Sequence, residues 1–144
     1  MGTSTVDARH RADWEQLAAV DPLWAVLSDP AKRGGRWNLE EFLATGVADA
    51  AALMTIAGRL GHPVRNGAAL DFGAGVGRVS RALAATFESV VGVDVSASMV
   101  EQAQENCAEL SNASFVLAER GTLTRMEPAS FDLVYSRWVL QHLL

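Results

Sequence analysis

Residues 70–77 read Leu-Asp-Phe-Gly-Ala-Gly-Val-Gly, and the next apolar run, residues 89–94, ends on the carboxylate of Asp94. The run before the glycines is long enough for one buried strand, and the apolar spacing after them predicts a helix over 76–87. A strand, a glycine turn, a helix and a second strand form the unit from which parallel sheets are built. The glycines and Asp94 would then share the carboxyl edge of the sheet, where ligands bind in open parallel sheets.

The same alternation continues along the chain and indicates an α/β fold. We expect a partial parallel sheet of about four strands with flanking helices, preceded by an N-terminal helical segment. The chain is therefore divided into a helical cap or lid segment, residues 1–66, and a sheet domain, residues 67–144, truncated after the fourth strand. The predicted strands are 68–72, 89–94, 114–118 and 131–136, and the predicted helices of the sheet domain are 76–87, 97–110 and one beginning at 137.

Composition narrows the possible partners. The chain has 144 residues, 49% of them apolar, a formal net charge of −5 and a pI of about 5.1. A sequence-independent nucleic-acid binder needs a basic face, so no nucleic-acid partner is expected. The single cysteine, Cys107, fits a reducing cytoplasm. No long apolar run or secretion leader is visible, so no membrane partner is expected and we predict a cytoplasmic location.

The glycine turn suits two kinds of ligand, and the residues around it distinguish them. A dinucleotide site places pyrophosphate at a helix N-terminus and commonly has the pattern G-x-G-x-x-G, whereas here Arg78 takes the place of the third glycine. Asp71 would also put negative charge beside the phosphates. S-adenosylmethionine has no phosphate and has a cationic tail that an acidic residue suits. The loop therefore favours S-adenosylmethionine, with the ribose hydroxyls on Asp94.

Three stretches together resemble the class I, Rossmann-like S-adenosylmethionine-dependent methyltransferases. Residues 70–78 resemble the family's first motif, and residues 90–99 (Val-Val-Gly-Val-Asp-Val-Ser-Ala-Ser-Met) resemble the motif that follows it. Residues 130–143 resemble the fourth-strand motif of the small-molecule branch. The resemblance covers residues 67–144 and implies a Rossmann-like fold, with S-adenosylmethionine as cofactor and S-adenosylhomocysteine as product.

The resemblance also implies which positions hold the cofactor. The side chain of Asp71 and the backbone of Gly73 would serve its methionine end. The other implied positions are Ala74 and Gly75 in the loop, Asp94 at the ribose, Val95 and Met99 flanking the adenine, Gly121 and Thr122 at the adenine edge, and Ser136 near the transferred methyl group.

The chain departs from the family at two points. Arg120 stands where the family often has an acidic residue, so the adenine amino group would be met by Glu119 or by a backbone carbonyl, or would be bound weakly. The family's sheet has seven strands, whereas this chain ends one helix after the fourth. The free edge of the fourth strand predicts a fragment of a longer enzyme, a homodimer paired edge to edge, or a chain covered by a partner.

The helical segment contains a capped helix and a basic loop. Asn38 stands three residues before Glu41, which predicts a helix start, and Gly46 could bend or split that helix. The loop over residues 32–37, with Arg33, Arg36 and Trp37, has two interpretations. Either it closes over the cofactor or an acidic substrate as a lid, or its charges are solvated beside one aromatic that packs on the core.

The histidines are interpreted as structural residues. His142 lies in the predicted last helix and is more often structural than a general base at such a position. His10 and His62 have no metal-ligand partners at suitable spacing, so no metal site is predicted. Trp138 is expected at the rim of the site.

The predicted reaction is direct displacement of the methyl group by an oxygen, nitrogen or carbon atom of a small-molecule acceptor. The protein would mainly hold the two reactants in line. No Asn-Pro-Pro-Tyr-type run follows the fourth strand, which argues against methylation of nucleic-acid bases. Two other functions stay open, a module that binds S-adenosylmethionine without turnover and a nicotinamide-dependent oxidoreductase. A domain that binds none of these ligands would be purely an interaction domain.

Overall fold

The centre of the computed structural model is a four-stranded parallel sheet. The structure describes residues 3–62, 64–119 and 122–142. The strands lie in the spatial order β3-β2-β1-β4, and all neighbours are parallel. The order reverses between β1 and β4, so the ligand crevice of such a sheet lies beyond the carboxyl end of β1. The predicted α/β fold is confirmed. The strands are β1 (Ala68–Phe72), β2 (Ser89–Asp94), β3 (Ala113–Leu117) and β4 (Leu133–Tyr135).

The helices after β1 and β2 begin close to the crevice. The helix after the glycine loop starts at residue 78, because Gly77 adopts a left-handed conformation (φ 83°) that ends the turn. The next helix is capped by Ser96, whose Oγ accepts a hydrogen bond from Met99 N at 3.1 Å. Val79, Leu83 and Phe87 are buried against the sheet, as their spacing predicts. The α-helices among the described residues are α1 (Thr3–Val20), α2 (Pro22–Val26), α3 (Leu39–Arg59), α4 (Arg78–Ala84) and α5 (Ala97–Asn106).

Helix α3 is continuous, and its predicted cap is confirmed. Asn38 Oδ1 accepts a hydrogen bond from Glu41 N at 3.1 Å. Gly46 neither bends nor splits the helix but lets α3 pack against the backbone of Arg78. By length and composition α3 could also cross a membrane, with a mean hydropathy of 1.3. One helix of this kind is weak support for a membrane span, because core helices of globular domains pass the same test.

Helices α1 and α2 cover the carboxyl edge of the sheet. α1 ends at Val20, and the side chain of Asp21 then caps α2 through Trp24 N. Asp21 Oδ2 also accepts hydrogen bonds from Gly34 N and Gly35 N at 2.8 and 2.9 Å, which fixes the basic loop beside α2. α1 is 18 residues long and therefore longer than the short helix that its sequence predicts.

The segment after β4 differs from the prediction. No α-helix begins at residue 137 within the described part of the chain; the segment forms a 3₁₀ turn over Leu140–His142. Trp138 has a φ of 61°, a left-handed conformation that interrupts helical propagation directly after the strand. The helix predicted over 76–87 is also shorter, at Arg78–Ala84.

Candidate functional site

A cavity of about 910 Å³ lies between the carboxyl ends of the strands, the N-terminal helices and the segment after β4. This volume is typical of sites that enclose a whole cofactor or drug-sized ligand. The chain has four tryptophans, and all of them line the cavity. They come from α1, α2, the basic loop and the segment after β4, so aromatic surface encloses the space from several sides: Trp14, Trp24, Trp37 and Trp138.

The glycine loop forms the floor of the cavity, and its amides are used within the protein. Gly73 N and Ala74 N both donate to Val93 O, at 2.7 and 3.0 Å, and Gly77 N donates to Ala74 O at 3.0 Å. Gly75 N donates to Asp94 Oδ2 at 2.8 Å. A loop that cradles phosphate needs its N–H groups free to point at the ligand. This loop holds the turn together instead.

Two of the loop glycines are in close contact with neighbouring segments. A Cβ at Gly73 would lie 2.1 Å from Val139 Cγ2, and one at Gly75 would lie 2.8 Å from Val26 Cγ2. Both residues have positive φ angles, 82° and 54°, which L side chains rarely adopt. The loop thus brings α2 and the segment after β4 together over the end of β1.

Asp94 ends β2 at the cavity wall. Its Oδ1 accepts a hydrogen bond from Ser96 N at 3.0 Å and its Oδ2 the bond from Gly75 N. Burial raises the pKa of the Asp94 carboxyl, and these hydrogen bonds oppose that shift. Because a carboxylate oxygen has two lone pairs, each oxygen retains capacity for one more hydrogen bond. Val95 and Met99 also line the cavity, so the predicted ribose and adenine positions lie together.

Asp71 lies elsewhere than the resemblance implied. Its carboxylate is buried below the loop and does not line the cavity. Oδ2 accepts a hydrogen bond from Ser80 Oγ at 2.6 Å, so the side chain faces α4. Burial raises the pKa of Asp71 to about 6, although the Ser80 bonds and nearby Arg78 oppose the shift. In this structure Asp71 supports the loop from beneath and does not contact the cavity.

Three further predicted positions are also away from the cavity. Ala74 is buried in the loop, and Thr122 Oγ1 accepts a hydrogen bond from Glu119 N at 2.8 Å. Ser136 Oγ is buried without a hydrogen-bond partner among the described residues. Gly121, together with Arg120, lies outside the described residues. Of the ten predicted cofactor positions, those that line the cavity are Gly73, Gly75, Asp94, Val95 and Met99.

Helix α1 is tied to the start of α5, beside the predicted adenine position, by residues that the sequence analysis did not select. Glu15 accepts hydrogen bonds from Ser96 Oγ at 2.6 Å, from Ser98 N at 3.2 Å and from Ser98 Oγ. These hydrogen bonds lower the pKa of the Glu15 carboxyl, and the bond from Ser96 Oγ has the largest effect. Arg11 Nη2 donates to Ala118 O at 2.8 Å. The sequence gives no signal for these contacts, because Glu15 and Arg11 are charged residues whose partners lie 81 to 107 positions away.

The basic loop over residues 32–37 contributes aromatic walls and stacked cations. Lys32 Nζ lies 5.0 Å from the ring centroid of Trp37, and the Arg33 guanidinium carbon lies 5.1 Å from that of Trp24. Both tryptophans line the cavity, and neither Lys32 nor Arg33 does. The aromatic part of the loop therefore borders the site, and its charges stack on the tryptophans.

His142 lies at the cavity, in the 3₁₀ turn Leu140–His142 and not in the predicted α-helix. Its ring centroid is 5.3 Å from that of Trp14 and 6.4 Å from that of His10. Trp14 Nε1 donates to His10 Nε2 at 3.0 Å. All three side chains line the cavity and join α1 to the turn after β4. Trp138 is 60% exposed and lines the same cavity, in agreement with its expected place at the rim.

An ion-pair network supports the wall formed after β4. Asp49 on α3 accepts from Arg78 Nη1 at 2.6 Å and also pairs with Arg137 Nη1. Arg78 Nη1 donates in addition to Thr45 Oγ1 at 3.1 Å. Asp49 and Arg137 are 88 positions apart (137 − 49) in the sequence, so no local pattern could reveal their contact.

The comparison with known proteins identifies the class. Residues 69–144 match the family model described as "Methyltransferase domain", and they make up more than half of the chain. The chain therefore belongs to the methyltransferase domain family, and its fold is that of the class I, Rossmann-like S-adenosylmethionine-dependent methyltransferases. This confirms the family and the fold that the three motifs imply.

Particular relatives are phosphoethanolamine methyltransferases. The chain is 35% identical over 74 residues to phosphoethanolamine N-methyltransferase 1 of Caenorhabditis elegans, covering 51% of this chain and 15% of the relative. It superposes on the Haemonchus contortus enzyme, solved with phosphoethanolamine and S-adenosylhomocysteine, with a TM-score of 0.75, 22% identity and coverage of 99% and 27%. A Leishmania major S-adenosylmethionine-dependent methyltransferase gives a TM-score of 0.70, 22% identity and coverage of 96% and 50%.

These structural likenesses establish the fold. The chain spans only a small part of the length of the phosphoethanolamine methyltransferases that it matches.

Proposed function

We propose that the chain binds S-adenosylmethionine in the 910 Å³ cavity and supplies the cofactor-binding part of a small-molecule methyltransferase. The observation that carries this proposal is the meeting of Asp94, Val95 and Met99 with the glycine loop at one end of the sheet. Asp94 would accept hydrogen bonds from the ribose hydroxyls with its remaining lone pairs. Val95 and Met99 would contact the adenine faces. Membership of the methyltransferase domain family supports the assignment.

The loop geometry favours this cofactor over a nicotinamide dinucleotide. The amides of Gly73, Ala74, Gly75 and Gly77 all donate to protein oxygens, so a pyrophosphate over the loop would find these donors occupied. Asp94 does not discriminate, because a carboxylate at this position suits the ribose of either cofactor. A ligand with a sulfonium and no phosphate does not need the occupied loop amides. This argument does not depend on Asp71, which lies below the loop.

The acceptor would be a small molecule in the part of the cavity enclosed by aromatic side chains. Trp14 and His142 border that part from α1 and from the turn after β4. Methyl transfer would proceed by direct displacement, with the enclosed cavity holding the acceptor in line with the sulfonium and excluding water. Phosphoethanolamine, named for the relatives in Caenorhabditis elegans and Haemonchus contortus, is the first acceptor to test.

Cofactor choice is tested by calorimetric titration with S-adenosylhomocysteine, NAD and NADP. We expect only S-adenosylhomocysteine to bind. An Asp94→Asn variant should bind it roughly 10- to 100-fold more weakly, because a neutral amide replaces the charged carboxylate that would accept from the ribose hydroxyls. Glu88→Gln, at the opposite end of β2, is the matched control and should bind as the wild type does. Binding of NAD in place of S-adenosylhomocysteine would refute the proposal. Binding without methyl transfer by the full-length protein would favour the non-catalytic module.

The outer edge of β4 would pair with the same edge of a second copy. β4 is the last strand in the spatial order, and Val134 on it is 63% exposed. An unpaired edge with apolar side chains is a template for further strand pairing. Sedimentation of this 144-residue chain should show a dimer that Val134→Lys dissociates, with Val47→Lys on the exposed side of α3 as control. A monomer at all concentrations would exclude edge pairing.

A further inference from the structure

Arg137 carries a positive charge that the surrounding protein only partly neutralises. The carboxylate of Asp49 is shared between Arg78 and Arg137, so one negative charge faces two positive ones. The Arg78 side chain is 5% exposed and Arg137 is 42% exposed. Asp71 lies near Arg78 below the loop, where it offsets charge on the buried side of the network. The guanidinium of Arg137 is therefore the member of the network that is available to a ligand.

The amino-acid tail of S-adenosylmethionine has a carboxylate that needs hydrogen-bond donors. The loop amides beside the predicted methionine position already donate within the protein. The ammonium group of the tail can use carbonyl oxygens, such as that of Gly73, because it needs only acceptors. Among the lysines and arginines of the described chain, Arg137 alone lines the cavity. Uncharged donors such as Gln141 and Ser28 also line the cavity, but Arg137 is the lining residue that combines several N–H donors with a fixed positive charge.

The backbone places Arg137 close to the loop. Val139, two residues further on, lies against Gly73 so tightly that a Cβ at Gly73 would be 2.1 Å from Val139 Cγ2. Between them Trp138 takes the left-handed conformation, and its ring centroid is 5.7 Å from the guanidinium carbon of Arg137. The side chain of Arg137 is thus fixed on one side by Asp49 and Tyr135 and on the other by Trp138.

We infer that Arg137 binds the carboxylate of the amino-acid tail of S-adenosylmethionine, with Asp49 as the residue that positions it. Arg137 has five N–H donors in a planar fork, and pairing with Asp49 leaves donors on the other terminal nitrogen for a second carboxylate. The inference rests on the proposed function, because it names how the same cavity would recognise the end of its cofactor. It assigns cofactor specificity to a residue outside the glycine loop.

The test compares two ligands that differ by the carboxylate alone. S-adenosylhomocysteine and its decarboxylated analogue, which retains the amine, are titrated calorimetrically into the 144-residue chain. The wild type should prefer S-adenosylhomocysteine by roughly 10- to 100-fold, the range for hydrogen bonds to a charged group. Arg137→Gln should lose that preference and bind the analogue as the wild type does. Arg33→Gln is the matched control, because Arg33 stacks on Trp24 but does not itself line the cavity. This variant should retain the full preference.

Two more variants keep the result interpretable. Arg137→Lys preserves the charge without the fork and should retain part of the preference, which covers the case in which Arg137→Gln fails to fold. Asp49→Asn should reduce the preference less than Arg137→Gln, because it loosens the guanidinium without removing it. Equal binding of both ligands by the wild type, or an unchanged preference in the folded Arg137 variants, would overturn the inference. Failure of both ligands to bind the wild type would instead reject the proposed function.

Discussion

The packing of α3 against α4 depends on the missing side chain of Gly46. A Cβ at this position would lie 2.2 Å from Arg78 O and 2.8 Å from Arg78 C. Both atoms belong to the backbone at the start of α4, so the clash is relieved only if the two helices separate. Gly58 lies on the same helix, is exposed, and would place its Cβ where no atom lies within 4 Å. The two glycines form a matched pair for alanine substitution.

The expected stabilities follow from two effects. Alanine is favoured over glycine in a helix by about 1 kcal/mol, and somewhat less near a helix end, so Gly58→Ala should stabilise the fold by about 0.5–1 kcal/mol. At Gly46 the same gain is opposed by overpacking, which costs about 1–3 kcal/mol in well-packed sites. Because a rigid backbone is the obstacle, we take a cost of about 2–3 kcal/mol. Gly46→Ala should then be less stable than Gly58→Ala by about 2–3 kcal/mol.

Urea denaturation followed by circular dichroism measures the difference. With a slope of about 1–3 kcal/mol per molar urea, the two midpoints should differ by about 0.7–3 M at equal slopes. Gly46→Ala should also weaken cofactor binding, since α4 carries the end of the glycine loop. If Gly46→Ala were as stable as Gly58→Ala, the close approach of α3 to Arg78 would be refuted.

Two further predictions concern buried and anchoring carboxylates. Burial raises the pKa of Asp71 from 3.8 to about 6, so the native state binds this proton more tightly than the unfolded state does. The ionised Asp71 carboxylate therefore destabilises the fold increasingly as the pH rises from about 4 to above 6. The stability of Asp71→Asn relative to wild type should therefore rise by about 2 kcal/mol between pH 4 and pH 7.5 in denaturant titrations. A constant difference would contradict a desolvated carboxyl. Glu15→Ala should lower the free energy of local opening of α1 by roughly 1–2 kcal/mol, because the helix loses its hydrogen bonds to Ser96 and Ser98. Amide hydrogen exchange in α1 should then be faster than in the matched control Gln16→Ala, while β1 stays protected. Unchanged exchange in α1 would show that Glu15 does not anchor the helix.

Local patterns in the sequence were sufficient to predict the sheet. The strands over 68–72 and 89–94 are short apolar runs with turn residues beside them, and their observed bounds are the same. Asn38 was identifiable because a cap acts within three residues. Asp94, Val95 and Met99 line the cavity for the same reason, since the end of a strand fixes what lies at the edge of the sheet, and their contacts with a cofactor stay predictions. These predictions needed no knowledge of distant contacts.

The predicted role of Asp71 shows where local reasoning stops. The sequence indicated a carboxylate beside the loop but not the direction in which it points. Ser80 was the available signal, because it lies next to the inward positions Val79 and Leu83 and is fully buried. A buried hydroxyl on a helix facing a sheet needs a partner, and Asp71 supplies it at 2.6 Å. A polar residue on the apolar face of a helix therefore indicates a hydrogen bond to a carboxylate on the neighbouring strand.

The two side walls of the cavity are anchored in different ways, and this bears on how a ligand enters. The wall after β4 is held by Arg137 through Asp49, which also binds the buried Arg78, and by the contact of Val139 with Gly73. Helix α1 is held near its end by Ala18, which is buried in an apolar cluster with Val76 and Met99. Earlier in the helix it is held by polar contacts of Glu15 and Arg11 in partly exposed positions. Polar contacts near solvent are individually weak because water competes for the same groups. We therefore expect the part of α1 around Arg11 and Glu15 to separate from the domain more readily than the wall after β4 when a ligand enters the cavity.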